Sequence, residues 1–136
     1  PIIGLASDRF GRRPTLLALA LASIILPTAM FAAMVDGGTA TWAGAIVLAA
    51  LGGAVSAVGA VTTAEQFPGE GRLSGLALGA TTATAIFGGL TPLVAHLLVT
   101  KSGWAAAPGA MIACVALCVI IVFWRMPETA PARSRV

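Results

Sequence analysis

Few residues in this chain can do chemistry, and those few are grouped. Its 13 charged side chains fall in five clusters: Asp8–Arg13, Asp36, Glu65–Arg72, Lys101, and the run from Arg125 to Arg135. Asp8 and the arginines at 9, 12 and 13 can form charge-assisted hydrogen bonds that tie helix ends together. His96 is the one histidine. A histidine titrates near physiological pH, which makes it a candidate proton carrier; its place near the end of an apolar stretch, within reach of water, supports an ordinary interfacial role instead. Cys114 and Cys118 stand one helical turn apart with no histidine or acid near them in sequence, and read as apolar fillers. The chain has no phosphate-binding loop, metal constellation or nucleophile beside a base. Neither catalysis nor a metal or cofactor is expected.

The remaining polar candidates are hydroxyls. At 100° per residue, Thr81, Thr84, Gly88 and Thr91 lie within about 80° of one another, forming a narrow polar and small stripe. Pro92 cannot donate to the carbonyl of Gly88, and Gly88-Gly89 resists bending weakly, so the helix is expected to break here. A hydroxyl stripe beside a weak point suits a transporter, where sites lie at discontinuous helices. The competing reading is that each threonine bonds back to its own helix. Ser56, Thr81, Thr84 and Thr91 are the candidates for lining a cavity.

The elements that hold these residues follow from composition. Hydrophobic residues make up 58% of the 136 and charged ones only 10%. Soluble domains are about 25% charged, and a chain this short cannot hide so much apolar surface in one core. Disorder, nucleic-acid binding and a secreted disulfide scaffold are excluded, and the bilayer becomes the first partner. Four uncharged stretches separate the clusters: Pro14–Val35, Gly37–Ala64, Leu73–Thr100 and Ser102–Trp124, of 22, 28, 28 and 23 residues. About 20 residues of helix cross a hydrocarbon core, so each stretch is expected to span once, as helices near 14–35, 40–64, 73–100 and 103–124. The fold class is an all-α integral membrane protein.

With four crossings both ends share a side. That side holds Arg9, Arg12, Arg13, Arg72, Arg125, Arg133 and Arg135; the other holds Lys101 alone. The positive-inside bias makes both ends cytoplasmic, with loops at 6–13 and 65–72 and a tail at 125–136. Trp42, Trp104 and Trp124 near stretch ends agree with headgroup anchoring. Pro1–Leu5 looks like the tail of a further helix, so the chain is expected to come from a longer protein. Large aliphatics dominate the first and last spans, and glycines mark the middle two. Small residues permit close helix approach, so the middle spans are expected inside a bundle, by tight packing or around a water-filled cavity, with the outer two facing lipid.

Three loop motifs resemble those of the major facilitator superfamily. The run Gly4-Leu-Ala-Ser-Asp8-Arg9-Phe-Gly11-Arg12-Arg13-Pro-Thr-Leu16 is similar to the family's signature loop, departing only at Ala6. Glu65-Gln-Phe-Pro68-Gly-Glu-Gly-Arg72 resembles the loop after the tenth helix of sugar-porter and metabolite–proton symporter relatives. Arg125-Met-Pro127-Glu128-Thr129 is similar to their tail motif. The resemblance covers the chain from the end of helix eight to the tail, and implies the C-terminal third of a twelve-helix bundle, with eight helices supplied elsewhere in the parent chain. It implies a cytoplasmic gating network of Asp8, Arg9, Gly11, Arg12, Arg13, Glu65, Arg72 and Glu128, with Arg12 and Arg13 engaging Glu65 and Glu128, and Asp8 facing the other half. The stretch Ala83–Pro92 resembles the eleventh helix of the metabolite–proton symporter branch, which includes citrate-type carriers. The implied activity is proton-coupled uptake of a small organic acid or zwitterion across the inner (plasma) membrane. A self-standing four-helix exporter or scaffold subunit is the alternative, though an exporter needs a membrane-embedded acid and all five acids here lie outside the apolar stretches.

Overall fold

The computed structural model describes residues 2–66 and 72–129, and they are helical almost throughout. In chain order the helices are α1 (Ile2–Phe10), α2 (Arg12–Met34), α3 (Thr39–Gln66), α4 (Arg72–Ala83), a π-helical segment (Thr84–Gly88), α5 (Gly89–Ser102) and α6 (Ala107–Arg125). Four helical runs are long and apolar enough to cross a membrane: Arg12–Met34, Thr39–Gln66, Leu73–Ser102 and Ala107–Arg125. The first, second and third extend the expected limits by one or two residues at an end, and the fourth starts four residues late. Gly103, in a left-handed conformation with φ of 67°, ends α5, and its N–H bonds to the Val99 carbonyl.

The expected loop at 6–13 is almost all helix. Only Gly11 interrupts it, with φ of 108° and ψ of 151°, a region that side chains with a Cβ avoid. The Gly11 N–H closes α1 on the Ser7 carbonyl, while its own carbonyl accepts from the Thr15 N–H and hydroxyl. Pro14 fits the first turn of α2, where no intrahelical acceptor awaits its missing N–H. The 65–72 loop is likewise helical at Glu65, Gln66 and Arg72; residues 67–71, and the tail beyond Thr129, lie outside the described residues.

The third span does not break. Gly88 and Gly89 keep helical dihedrals, and the departure at this weak point is a π segment, in which the Gly89 N–H reaches the Thr84 carbonyl. One wider turn just before Pro92 lets the helix continue past a residue that cannot donate.

Helix packing within the chain reverses the expected order. The first and last spans make the main contact, α3 lies against α2, and the third span touches α6 only lightly. Leu16, Ala20 and Pro27 of α2, Val58 and Thr62 of α3, and Ala107, Gly109 and Ala116 of α6 form the buried centre. Among the described side chains of α4 and α5, none is buried. The reason lies in one glycine. A Cβ on Gly109 would stand 2.5 Å from the Thr28 Cα and 2.7 Å from the Pro27 carbonyl carbon, so α6 meets the α2 backbone at its proline. By contrast, Gly52, Gly53, Gly59, Gly79 and Gly89 have nothing within 4 Å of a Cβ position. Their small faces remain unpartnered among the described residues.

Gly109→Ala is therefore expected to force α6 away from α2 and cost about 1–3 kcal/mol. Thermal unfolding of the detergent-solubilised protein checks this, and an unchanged midpoint would contradict the backbone contact.

Candidate functional site

Arg12 is the centre of the polar structure at the arginine-rich end. As the first residue of α2 it is held by the Gly11 turn, which points its side chain back along α1 toward α3. It is buried to 6% exposure, an unusual state for an arginine without partners. Its Nη1 lies 2.6 Å from Asp8 Oδ1 and donates to Ser7 Oγ at 2.9 Å. Its Nη2 and Nε donate to the two carboxylate oxygens of Glu65, at 3.1 and 3.3 Å. This fork-on-fork pairing fixes geometry as well as charge, which a lysine cannot do. One guanidinium thus joins α1, α2 and the end of α3.

Glu128, just beyond α6, ties in the fourth element. Its Oε1 accepts the Arg12 backbone N–H at 2.6 Å and its Oε2 accepts that of Arg13 at 3.2 Å. These are N–H groups of the first turn of α2, which have no intrahelical acceptor, and a carboxylate there also meets the positive end of the helix dipole. Thr129 then donates its hydroxyl to Glu65 Oε2 at 2.5 Å. The tail therefore caps one helix and buttresses the carboxylate at the end of another. Gly11 is required twice: for its φ, and because a Cβ there would stand 2.6 Å from Glu128 Oε2.

Of the expected network residues, Asp8, Gly11, Arg12, Glu65 and Glu128 come together here. Arg13 contributes its backbone N–H, while its guanidinium lies 5.7 Å from the centroid of the Trp124 ring. Asp8, expected to face helices outside this chain, pairs with Arg12 one helical turn away, with its side chain 50% exposed. Arg9 is exposed. The side chain of Arg72 lies outside the described residues. Three participants escaped the sequence reading of the network: Ser7, Thr129 and Trp124. Ser7 is wholly buried, and a serine at the end of an apolar run was the available signal.

The hydroxyl candidates do not converge. Thr91 lines an apolar cavity of about 310 Å³ between the spans, with Ser23, Val55, Phe87, Met111 and Ala116 among its walls. Its hydroxyl donates to the Phe87 carbonyl, as that of Ser23 does to Leu19, so neither has its proton left to donate to a ligand. Thr81 and Thr84 border a separate shallow surface with Ala80 and Ala85. The π segment is the physical reason: its wider turn rotates Thr91 away from the face that Thr81 and Thr84 share. Ser56 is exposed on α3, and His96 is exposed on α5. Cys114 and Cys118 are free and exposed on α6.

An all-helical set of membrane-length spans with an ion-pair clasp at one end defines a polytopic membrane protein. The pattern of the Major Facilitator Superfamily matches residues 1–136, and the chain belongs to that family. It is 30% identical to a citrate-proton symporter of Klebsiella pneumoniae, over 89% of this chain and 28% of that protein. It is 31% identical to an ectoine/proline transporter of Corynebacterium glutamicum, over 79% of this chain and 22% of the relative. It is 34% identical to a proline/betaine transporter of Salmonella typhimurium, over 96% and 26%. The chain thus spans about a quarter of the length of the curated relatives it matches. No solved structure matches it.

Gly11→Ala is expected to destabilise the protein by about 1–3 kcal/mol, because strained dihedrals combine with a clash against the capping carboxylate. Chemical denaturation in detergent checks this; a variant as stable as the parent would contradict the double requirement.

Proposed function

We propose that this chain is the C-terminal third of a twelve-helix secondary transporter that carries a small organic acid or zwitterionic metabolite together with protons. The Arg12 clasp is the observation that carries this reading. It binds three helices and the tail through side chains and backbone at one end only, and such a fastening is useful where that end must close and reopen. Broken, the fork between Arg12 and Glu65 frees α3 from α2; remade, it holds them with charge-assisted bonds, each contributing about 1.5–3 kcal/mol. That is a range from which substrate and proton binding can shift a population.

On this reading Asp8, Arg9, Gly11, Arg12, Arg13, Glu65, Arg72 and Glu128 act as a gating network. It is closed when the transporter opens outward and parted when it opens inward, as one six-helix half rocks against the other. The arginine-rich end is the cytoplasmic one, both termini of the chain lie there, and the protein resides in the plasma membrane. The unpartnered glycine faces of α3 and α4 are where the remaining eight helices pack. Thr81, Thr84 and Ser56, exposed within this chain, then face a cavity completed by those helices, and the π segment before Pro92 is the flexible point of that wall. The substrate class rests on the names of the relatives, which divide between citrate and proline, betaine or ectoine.

The test is uptake by the full-length polypeptide in proteoliposomes under an imposed pH gradient, with labelled citrate and labelled proline compared. Acid-driven accumulation of one of them is expected, falling at least tenfold in Arg12→Ala with the protein still inserted. No uptake of either would sink the substrate class, and undiminished uptake by the variant would sink the gate.

A further inference from the structure

Beside the clasp stands a second buried-edge cation that the clasp does not use. Arg13 gives Glu128 only its backbone N–H. Its guanidinium lies over Trp124 instead, and no carboxylate pairs with it among the described residues. A cation–ring contact engages the charge and leaves the in-plane N–H donors without an acceptor among the described residues. Around this pair lies a concavity of about 510 Å³ bounded by Arg13, Pro14, Leu17, Trp124 and Glu128. Trp124 is 65% exposed, so the concavity opens outward among the described residues. Glu128 is the one acid among the described residues of its wall, and both its oxygens accept backbone N–H groups of the α2 start, so the helix terminus offsets its charge.

Depth decides what can reach this place. Arg13 is the second residue of the span Arg12–Met34 and Trp124 the last but one of the span Ala107–Arg125, which puts both at the level where indoles meet headgroups. Pro14 and Leu17 continue the wall toward the hydrocarbon. A guanidinium and an indole at one level, followed along α2 by two apolar side chains, match the phosphate, glycerol and first acyl carbons of a lipid.

We propose that the Arg13–Trp124 concavity binds the headgroup phosphate of an anionic phospholipid. The phosphate oxygens accept from the guanidinium fork, and Trp124 holds that fork in place while covering the glycerol region. The site lies one residue from the clasp and shares Glu128 with it as a wall. It stands on the membrane setting of the spans and not on the transport reading.

Native mass spectrometry of the full-length polypeptide in detergent tests this, with phosphatidylglycerol and phosphatidylcholine titrated in separate arms. Phosphatidylglycerol is expected to bind in preference, with about tenfold weaker binding in Arg13→Ala and no change in Lys101→Ala at the opposite end. Trp124→Ala, which keeps every charge, is expected to weaken binding several-fold and decides the matter if Arg13→Ala does not fold. Excess inorganic phosphate is expected to leave the lipid bound. Equal binding of the two lipids, undiminished binding by the variants, or displacement by inorganic phosphate would each overturn the proposal.

Discussion

A single guanidinium with donors in a fixed plane sits where α1, α2 and α3 converge, and the arginine-rich end is organised around it. Burying that charge would be costly if any of its directions were unmet. Asp8 and Ser7 satisfy Nη1, and the two oxygens of Glu65 satisfy Nη2 and Nε. Each partner comes from a helix end, so satisfying the charge fixes those ends relative to one another. The tail then secures the start of α2 through Glu128 and steadies Glu65 through Thr129. Electrostatic need, not apolar burial, sets this part of the structure.

Farther along the spans a different constraint takes over. Bilayer-facing helices gain nothing from hiding apolar side chains from one another, so close approach must come from small residues. Gly109 against Pro27 and Thr28 is where that happens within this chain, and it fastens the first span to the last. The third span lacks such a contact and instead carries its own irregularity, the π turn ahead of Pro92. The chain therefore combines a firmly joined pair, α2 with α6, and a lightly held third span whose glycine and threonine faces are exposed among the described residues. The polar clasp and the glycine contact act at different depths on the same helix, α2.

Much of the fold was legible because charge and apolarity separate cleanly along the chain. Uncharged stretches of 22 to 28 residues leave no choice but single helical crossings, and the ends fell within four residues. The clasp was partly legible, since acids and arginines concentrate at the loop motifs, and the pairing of Arg12 with Glu65 is what the resemblance of those motifs implies. What was not legible depended on geometry that spacing does not encode. A motif of loop residues became two helices joined at Gly11, because hydrogen bonds at both sides of one permissive residue satisfy more backbone than a loop would. Glycine counts marked the middle spans as the packed ones, whereas the decisive glycine was a single one opposite a proline. The threonine stripe assumed an unbroken 3.6-residue period, and the π segment changes the face that Thr91 presents.

The Arg12 fork is the joint on which the account rests, and its opening can be read directly as a distance. Spin labels at Gln66 and Met126 in the full-length polypeptide report the separation of the α3 end from the tail by pulsed electron resonance. One short, narrow distance is expected with Glu65 intact, and a second, longer population when Glu65→Gln removes the charge from the fork. A distribution unchanged by that substitution would contradict the claim that this ion pair holds the arginine-rich end closed.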